Sequence, residues 1–321
     1  MALASTTLVD RLRSGDTRAL ARAISTVENR AAGWTELLKA LFPHTGKARV
    51  IGLTGAPGSG KSTLVDQLAK HYRKKKENQT VGIIAVDPTS PYTGGAILGD
   101  RIRMQDHHGD PGIFIRSMAT RGSLGGLARA TADAATVLDA SGRDVVMIET
   151  VGVGQDEVDI VRLADVTIVI LVPGMGDDVQ TIKAGIMEIA DIFVINKSDR
   201  DGAERVEREI RTMQSLAMRT RDDRWTPPIV KTVASEGVGT EELAKSIADY
   251  QAYLKKENLV FKKNVENWQE RLVEMLRDAM LEKARAQMDG GSLERYAAEI
   301  AEHKRDPYSL VEEIVRAINA T

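Results

Sequence analysis

The sequence predicts an α/β protein with a doubly wound, mainly parallel sheet. Two observations predict it. Short apolar runs recur at residues 50–54, 81–86, 113–115, 145–148, 166–172, 192–195 and 229–233. Most are continuous rather than alternating, which is the pattern of strands buried on both faces. Helix-patterned segments separate them, among them residues 62–72, 124–138 and 205–218. Strand–helix alternation of this kind places ligands at the carboxyl ends of the strands.

The flanks read differently. Leu8, Leu12, Leu20, Ile24 and Val27 recur at helical spacing up to about residue 41, with a break near Ser14-Gly15-Asp16. Asp16 or Ser14 is placed to cap the second helix, and residues 43–47 read as a linker. After Gly239 the strand pattern ends. Residues 259–288 predict a long amphipathic helix, and residues 293–318 continue helically after the interruption at Asp289-Gly290-Gly291-Ser292. The chain thus divides into a helical extension over 1–47, an α/β domain over 48–250 and a helical segment over 251–321.

Composition excludes several classes. Lys plus Arg is 44 against 46 for Asp plus Glu, a formal charge of -2, so broad adsorption to nucleic acid or an anionic membrane is not expected. Cysteine is absent, which removes disulfides and thiolate metal sites. The longest apolar run, residues 166–172, is far short of the ~20 residues of a membrane helix. Residues 1–22 lack the apolar core of a signal peptide, so a cytoplasmic location is expected. Lys74-Lys75-Lys76 reads as a solvated helix end.

The chemistry lies in contiguous motifs. Gly55-Ala56-Pro57-Gly58-Ser59-Gly60-Lys61-Ser62 is a complete G-x-x-x-x-G-K-[ST] loop between an apolar run and a helix that continues with Thr63. Its glycines let backbone N–H groups turn inward around phosphates, Lys61 neutralises their charge, and the Ser62 hydroxyl is a Mg²⁺ ligand. Asp87 and Glu149 each end a strand, where acids serve metal and water positioning in a phosphate-loop sheet. A lone acid there is about as often only a cap of the next helix. Gly152 suits a backbone contact with the γ-phosphate because a missing Cβ permits close approach. Gln155 is a candidate to orient the attacking water, and reads almost as well as a surface residue.

Asn196-Lys197-Ser198-Asp199 follows the sixth run. In this N-K-x-D order Asp199 accepts from guanine N1–H and the exocyclic amino group. Adenine offers neither donor, so it would leave the carboxylate desolvated and unpaired, and such mismatches discriminate strongly. Ala234-Ser235-Glu236 follows the last run, where a backbone N–H meets guanine O6; the small residues come as Ala-Ser, which leaves the contact open by one position. The motifs therefore predict a GTPase using GTP/GDP and Mg²⁺.

These residues resemble the SIMIBI class of P-loop GTPases and, within it, the MeaB/ArgK family. The likeness runs through Ala21-Arg22-Ala23-Ile24-Ser25, Gly52 to Gly58, Ala85-Val86-Asp87-Pro88-Thr89-Ser90-Pro91 and Glu149 to Gln155, nearly the whole chain. It implies a GTPase that chaperones an adenosylcobalamin-dependent acyl-CoA mutase, such as methylmalonyl-CoA mutase, by gating cofactor loading and protecting or reactivating the enzyme. Gly94 to Arg101 resembles the first switch, which implies Asp100 as a further acid near Mg²⁺. Gly174 to Lys183 resembles the switch that meets the mutase, with Asp177, Asp178 and Lys183 its candidate contacts. The carboxy-terminal helices resemble a homodimerisation arm. Asp106 to Pro111 nearly matches the cobalamin-binding D-x-H-x-x-G pattern but has Pro111 in place of the glycine, so direct ligation of cobalt by His108 is not expected.

Two other classes are weaker. A metallochaperone GTPase needs Cys or His clusters, and this chain has no Cys and one adjacent His pair, His107-His108. A P-loop kinase or transport-linked ATPase has no use for the guanine set.

Overall fold

The computed structural model describes residues 2–74, 78–87, 109–119, 126–150, 163–174, 189–217, 225–287 and 292–319. Its centre is a sheet of strands β1 (Arg49–Gly55), β2 (Val81–Asp87), β3 (Ile113–Ala119), β4 (Val145–Glu149), β5 (Val166–Leu171), β6 (Ile192–Asn196) and β7 (Ile229–Thr232). All neighbours pair in parallel, in the order β3-β2-β4-β1-β5-β6-β7. Every residue of β4, β5 and β6 is buried, which explains their unbroken apolar sequences.

Helices α1 (Ala2–Arg13), α2 (Thr17–Glu28), α3 (Trp34–Leu41), α4 (Lys61–Lys74), α5 (Gly126–Ala140), α6 (Ala203–Ala217) and α7 (Thr240–Lys256) cover the sheet. Alternate side chains of a strand face opposite layers. Ile84 and Val86 of β2 and Val146 and Ile148 of β4 accordingly share one core with Leu20, Ile24 and Val27 of α2, Leu37 and Leu41 of α3, and Val137 and Leu138 of α5. The amino-terminal helices are thus built into the same core as the sheet. Val169, Leu171, Phe193 and Ile195 form a second core with Val206 and Ile210 of α6.

Asp16, not Ser14, caps α2: its carboxylate accepts from the N–H groups of Arg18 and Ala19 at 2.9 and 3.0 Å. A further break after Asn29 separates α3, which the apolar spacing alone does not reveal. Three aspartates secure the amino edge of the sheet. Asp144, Asp165 and Asp191 each immediately precede a strand and accept from the amide of a neighbouring chain segment, at Thr80 (2.7 Å), Val50 (2.8 Å) and Thr167 (2.9 Å). Backbone donors entering a dry sheet need such acceptors.

Residues 258–321 form a separate compact unit. It holds α8 (Val260–Gln287), α9 (Ser292–Ala301) and α10 (Pro307–Asn319). The helical segment expected over 293–318 is made of two helices. Pro307 opens α10, and the Asp306 carboxylate accepts from Ser309 N–H at 2.8 Å, so the break has an N-cap of its own. Phe261, Leu272, Val273 and Leu276 of α8 remain exposed within this chain. Among the described residues no helix is long and apolar enough to cross a membrane.

Candidate nucleotide-binding site

The phosphate-loop motif occupies the connection from β1 to α4, at the carboxyl edge of the sheet. Gly55, Gly58 and Gly60 have φ of 151°, 76° and 92°, backbone that side-chain-bearing residues rarely adopt. Space is closed at two of the three. A Cβ on Gly55 would run into the Ile170 carbonyl of β5, and one on Gly60 into the side-chain amide of Asn196. Around Gly58 the space is open.

Lys61 is 6% exposed. Its ammonium folds back over the loop and donates to the carbonyls of Gly55 (2.8 Å) and Ala56 (3.1 Å). Ser62 Oγ donates to Glu149 Oε1 at 2.6 Å, a short charge-assisted bond. Thr63 is exposed. Topology makes the Ser62–Glu149 meeting possible, because β4 lies directly beside β1 with Glu149 in register with Leu53. On its other side β4 meets β2, where Ala85 faces Glu149 and Asp87 ends the strand two residues farther on. The two acids read from the sequence therefore end adjacent strands at the phosphate-loop edge.

The second motif follows β6. Asn196 is 2% exposed and makes three bonds: Nδ2 donates to Ser59 O (2.7 Å), while Oδ1 accepts from Thr232 Oγ1 (3.1 Å) and Ala234 N–H (3.0 Å). Lys197 adopts φ 56° and donates from Nζ to Gly58 O at 2.8 Å. Asp199 stands exposed at the rim. Residues Ala234, Ser235 and Glu236 form a 3₁₀ turn. Ala234 N–H is committed to Asn196 and Glu236 N–H to Val233 O, whereas Ser235 N–H has no partner among the described residues. Of the triplet, Ser235 has the backbone donor left for a ligand.

The structure thus brings together the phosphate loop, Glu149 and the Asn196–Asp199 motif. Asp100, Gly152, Gln155, Asp177, Asp178 and Lys183 lie outside the described residues, as do His107 and His108. The described end of the histidine segment is architectural. Arg73 donates to both Asp110 oxygens (2.7 and 2.6 Å) and lies against Gly112, where a Cβ would strike its guanidinium. Sequence reasoning missed Thr232, which orients Asn196, and the contact between Thr54 and Thr150 beside the loop. Their only signal is a hydroxyl within or just after an apolar run.

Comparison with known proteins gives the family. The sequence model of the family described as Methylmalonyl Co-A mutase-associated GTPase MeaB matches residues 20–289. A putative GTPase of Pyrococcus abyssi is 49% identical over 312 residues, 97% of this chain and 96% of its own. GTPase ArgK of Escherichia coli K12 is 39% identical over 252 residues, 77% of this chain and 76% of its own. The mouse mitochondrial methylmalonic aciduria type A homolog is 35% identical over 264 residues, 76% of this chain and 63% of its own. Among solved structures, one described as LAO/AO transport system kinase superposes with a TM-score of 0.72 at 28% identity, covering 98% of this chain and 97% of that one. With its phosphate loop and guanine motif joined at one sheet edge, the chain belongs to the MeaB family of P-loop GTPases and hydrolyses GTP.

Proposed function

We propose that the chain is a Mg²⁺-dependent conformational timer that chaperones an adenosylcobalamin-dependent acyl-CoA mutase of the methylmalonyl-CoA mutase type. The observation that carries this reading is the match of residues 20–289 to a family described as mutase-associated. In it, the product of GTP hydrolysis is a correctly loaded or reactivated mutase.

The residues at the loop fit the metal. Ser62 Oγ and Glu149 Oε1 already converge at 2.6 Å, and hydroxyl and carboxylate oxygens are the donors Mg²⁺ takes. Ser62, Asp87, Asp100 and Glu149 would hold it, and when bound it supplies charge neutralisation on the phosphate oxygens. Lys61 turns its ammonium from the loop carbonyls to the phosphates, and the backbone N–H groups from Gly58 to Thr63 cradle them. Gly152 contacts the γ-phosphate, and Gln155 orients the water. Asn196, Asp199 and the Ser235 N–H read guanine, with Lys197 along the base and Glu236 closing the turn.

Asp177, Asp178 and Lys183 would meet the mutase. The arm over 251–321 would pair two copies, and the exposed apolar residues of α8 support that role. The setting would be the cytoplasm. A metallochaperone is disfavoured by the absence of cysteine, and a kinase by the guanine set.

Two measurements test this reading. Asp199→Asn should weaken GTP binding and favour xanthosine nucleotides; unchanged GTP affinity would remove the base assignment. Mixing the protein with methylmalonyl-, isobutyryl-, 2-hydroxyisobutyryl- and ethylmalonyl-CoA mutases should raise the GTPase rate with one of them. No response to any would refute the chaperone role.

A further inference from the structure

The phosphate loop contains one hydroxyl that phosphate binding does not use. Ser59 is 0% exposed, and its Oγ has no hydrogen-bond partner among the described residues. The other hydroxyls at the loop are placed differently. Ser62 Oγ donates to Glu149, Thr54 Oγ1 accepts from Thr150, and Thr63 is exposed to water. Pro57 and Gly58, just before Ser59, are exposed as well, so the Ser59 side chain faces protein rather than the open side of the loop.

The motif asks for no hydroxyl here. Ser59 is the last variable position before Gly60-Lys61, and its part in the loop is played by the backbone. Its N–H donates to Ala56 O at 3.1 Å, and its carbonyl accepts from Asn196 at 2.7 Å. These two bonds hold the peptide on both sides and keep the side chain inside. A buried hydroxyl without a partner carries the full cost of leaving water, a cost that alanine at the same place avoids. The closed loop bears that cost. A loop that has parted from Asn196, with Ser59 in water, does not.

We propose that Ser59 is a built-in release device: its unpartnered hydroxyl weakens the closed phosphate loop and so speeds the departure of bound guanine nucleotide, a role that rests on the assignment of this loop to the nucleotide. Backbone N–H groups hold phosphates only while the loop is closed around them, so whatever favours opening favours release. Most substitutions in a binding loop loosen the ligand. Removing this hydroxyl should tighten the hold, and that sign separates a release device from a residue that merely supports the loop.

The test follows the release of fluorescent GDP into excess unlabelled GDP for the parent, Ser59→Ala and Ser59→Cys, with thermal melting of the same GDP complexes. Ser59→Ala should release GDP about tenfold more slowly, the rate equivalent of one unsatisfied buried hydroxyl. Ser59→Cys should slow release in the same sense, because a thiol is a weak donor that tolerates burial. Both complexes should melt no lower than the parent's. Release from Ser59→Ala at the parent rate or faster would overturn the proposal. So would slower release from a complex that melts lower, since the closed loop would then not be the one stabilised. Should Ser59→Ala not fold, Ser59→Cys decides alone by the same criterion. Lys61→Ala runs alongside. GDP held there as tightly as by the parent overturns the loop assignment and this inference with it, whereas lost GDP binding there beside an unslowed Ser59→Ala overturns the release device alone.

Discussion

Asn196 donates to the carbonyl of Ser59 over 2.7 Å, and through that bond the Asn196–Asp199 motif and the phosphate loop become one hydrogen-bonded piece. Lys197 repeats the link one residue on, from its ammonium to Gly58 O at 2.8 Å. The amide oxygen of Asn196 reaches the other way, to the Thr232 hydroxyl and the Ala234 N–H. One buried side chain thus spans the phosphate loop, the end of β7 and the turn that offers Ser235 N–H. The two motifs are mechanically coupled at this residue.

Replacing Asn196 with alanine should therefore damage both. It leaves the Ser59 carbonyl, the Ala234 N–H and the Thr232 hydroxyl without their partner in a closed interior, at roughly 1–3 kcal/mol for each group that finds no substitute. Affinity for GDP should fall by about two orders of magnitude, since a loss near 3 kcal/mol corresponds to that factor. Fluorescent-GDP titration reads it, and circular dichroism shows whether the sheet persists. Undiminished GDP affinity would mean that the three bonds position nothing.

Gly60 and Gly58 make an internal comparison. Both have positive φ, 92° and 76°. Alanine at either carries the left-handed penalty of about 1–2 kcal/mol. Only at Gly60 does the added methyl meet the Asn196 amide; around Gly58 nothing stands in its way. Gly60→Ala should abolish tight nucleotide binding, while Gly58→Ala should weaken it modestly. Equal losses would show that conformation alone governs both positions and that Asn196 yields readily.

Much of this was legible because the relevant residues are contiguous. The phosphate loop and the Asn196–Asp199 motif are local patterns, and the buried strands appear as unbroken apolar runs. Strand β3 shows where that reading stops. Its apolar run covers residues 113–115, yet the strand continues to Ala119. Arg116 interrupts the pattern because it pairs with Glu28 and reaches the Ser25 hydroxyl of α2, partners about 90 residues away in sequence. The Ser62–Glu149 bond and the Thr54–Thr150 pair likewise depend on β4 lying beside β1, which strand order decides and periodicity does not encode. The three aspartates before β4, β5 and β6 were visible as residues, but their acceptors' role appears only once neighbouring strands are known.

The Arg116–Glu28 pair predicts a stability effect far from the nucleotide. Glu28 is 9% and Arg116 21% exposed at the side chain, so both charges are largely withdrawn from water. Removing one partner strands the other, which costs about 3–5 kcal/mol for a buried pair, with the lower end expected here because Arg116 keeps some solvent contact. Glu28→Leu or Arg116→Met should each lower the urea midpoint markedly. The double variant should recover most of the loss, since it leaves no unpaired charge. A double variant as unstable as the sum of its singles would show that packing of α2 on β3, rather than the charges, is what matters.

Asp16 offers a pH test with a definite sign. Its carboxyl is held below the ordinary value of 3.8, first by the N–H of Ala19, then by the Arg11 side chain, with Arg18 N–H adding to both. A carboxyl depressed in the folded state stabilises that state at pH above the unfolded value, and the contribution disappears as pH falls through the folded value. Asp16→Ala should therefore differ from the parent at neutral pH, in the sense of lower stability. The gap should hold down to roughly pH 5 and close progressively below 4, where the unfolded carboxylate begins to take protons. Asp16→Asn separates the parts. Asparagine still caps α2 through a neutral oxygen but offers no charge to Arg11. Its deficit against the parent should be smaller than that of alanine, should shrink on acidification and should be reduced by salt. Urea midpoints for the three proteins between pH 7 and pH 3 read all of this at once. A gap between parent and Asp16→Ala that widened toward low pH would mean the carboxylate is not what holds the first turn of α2.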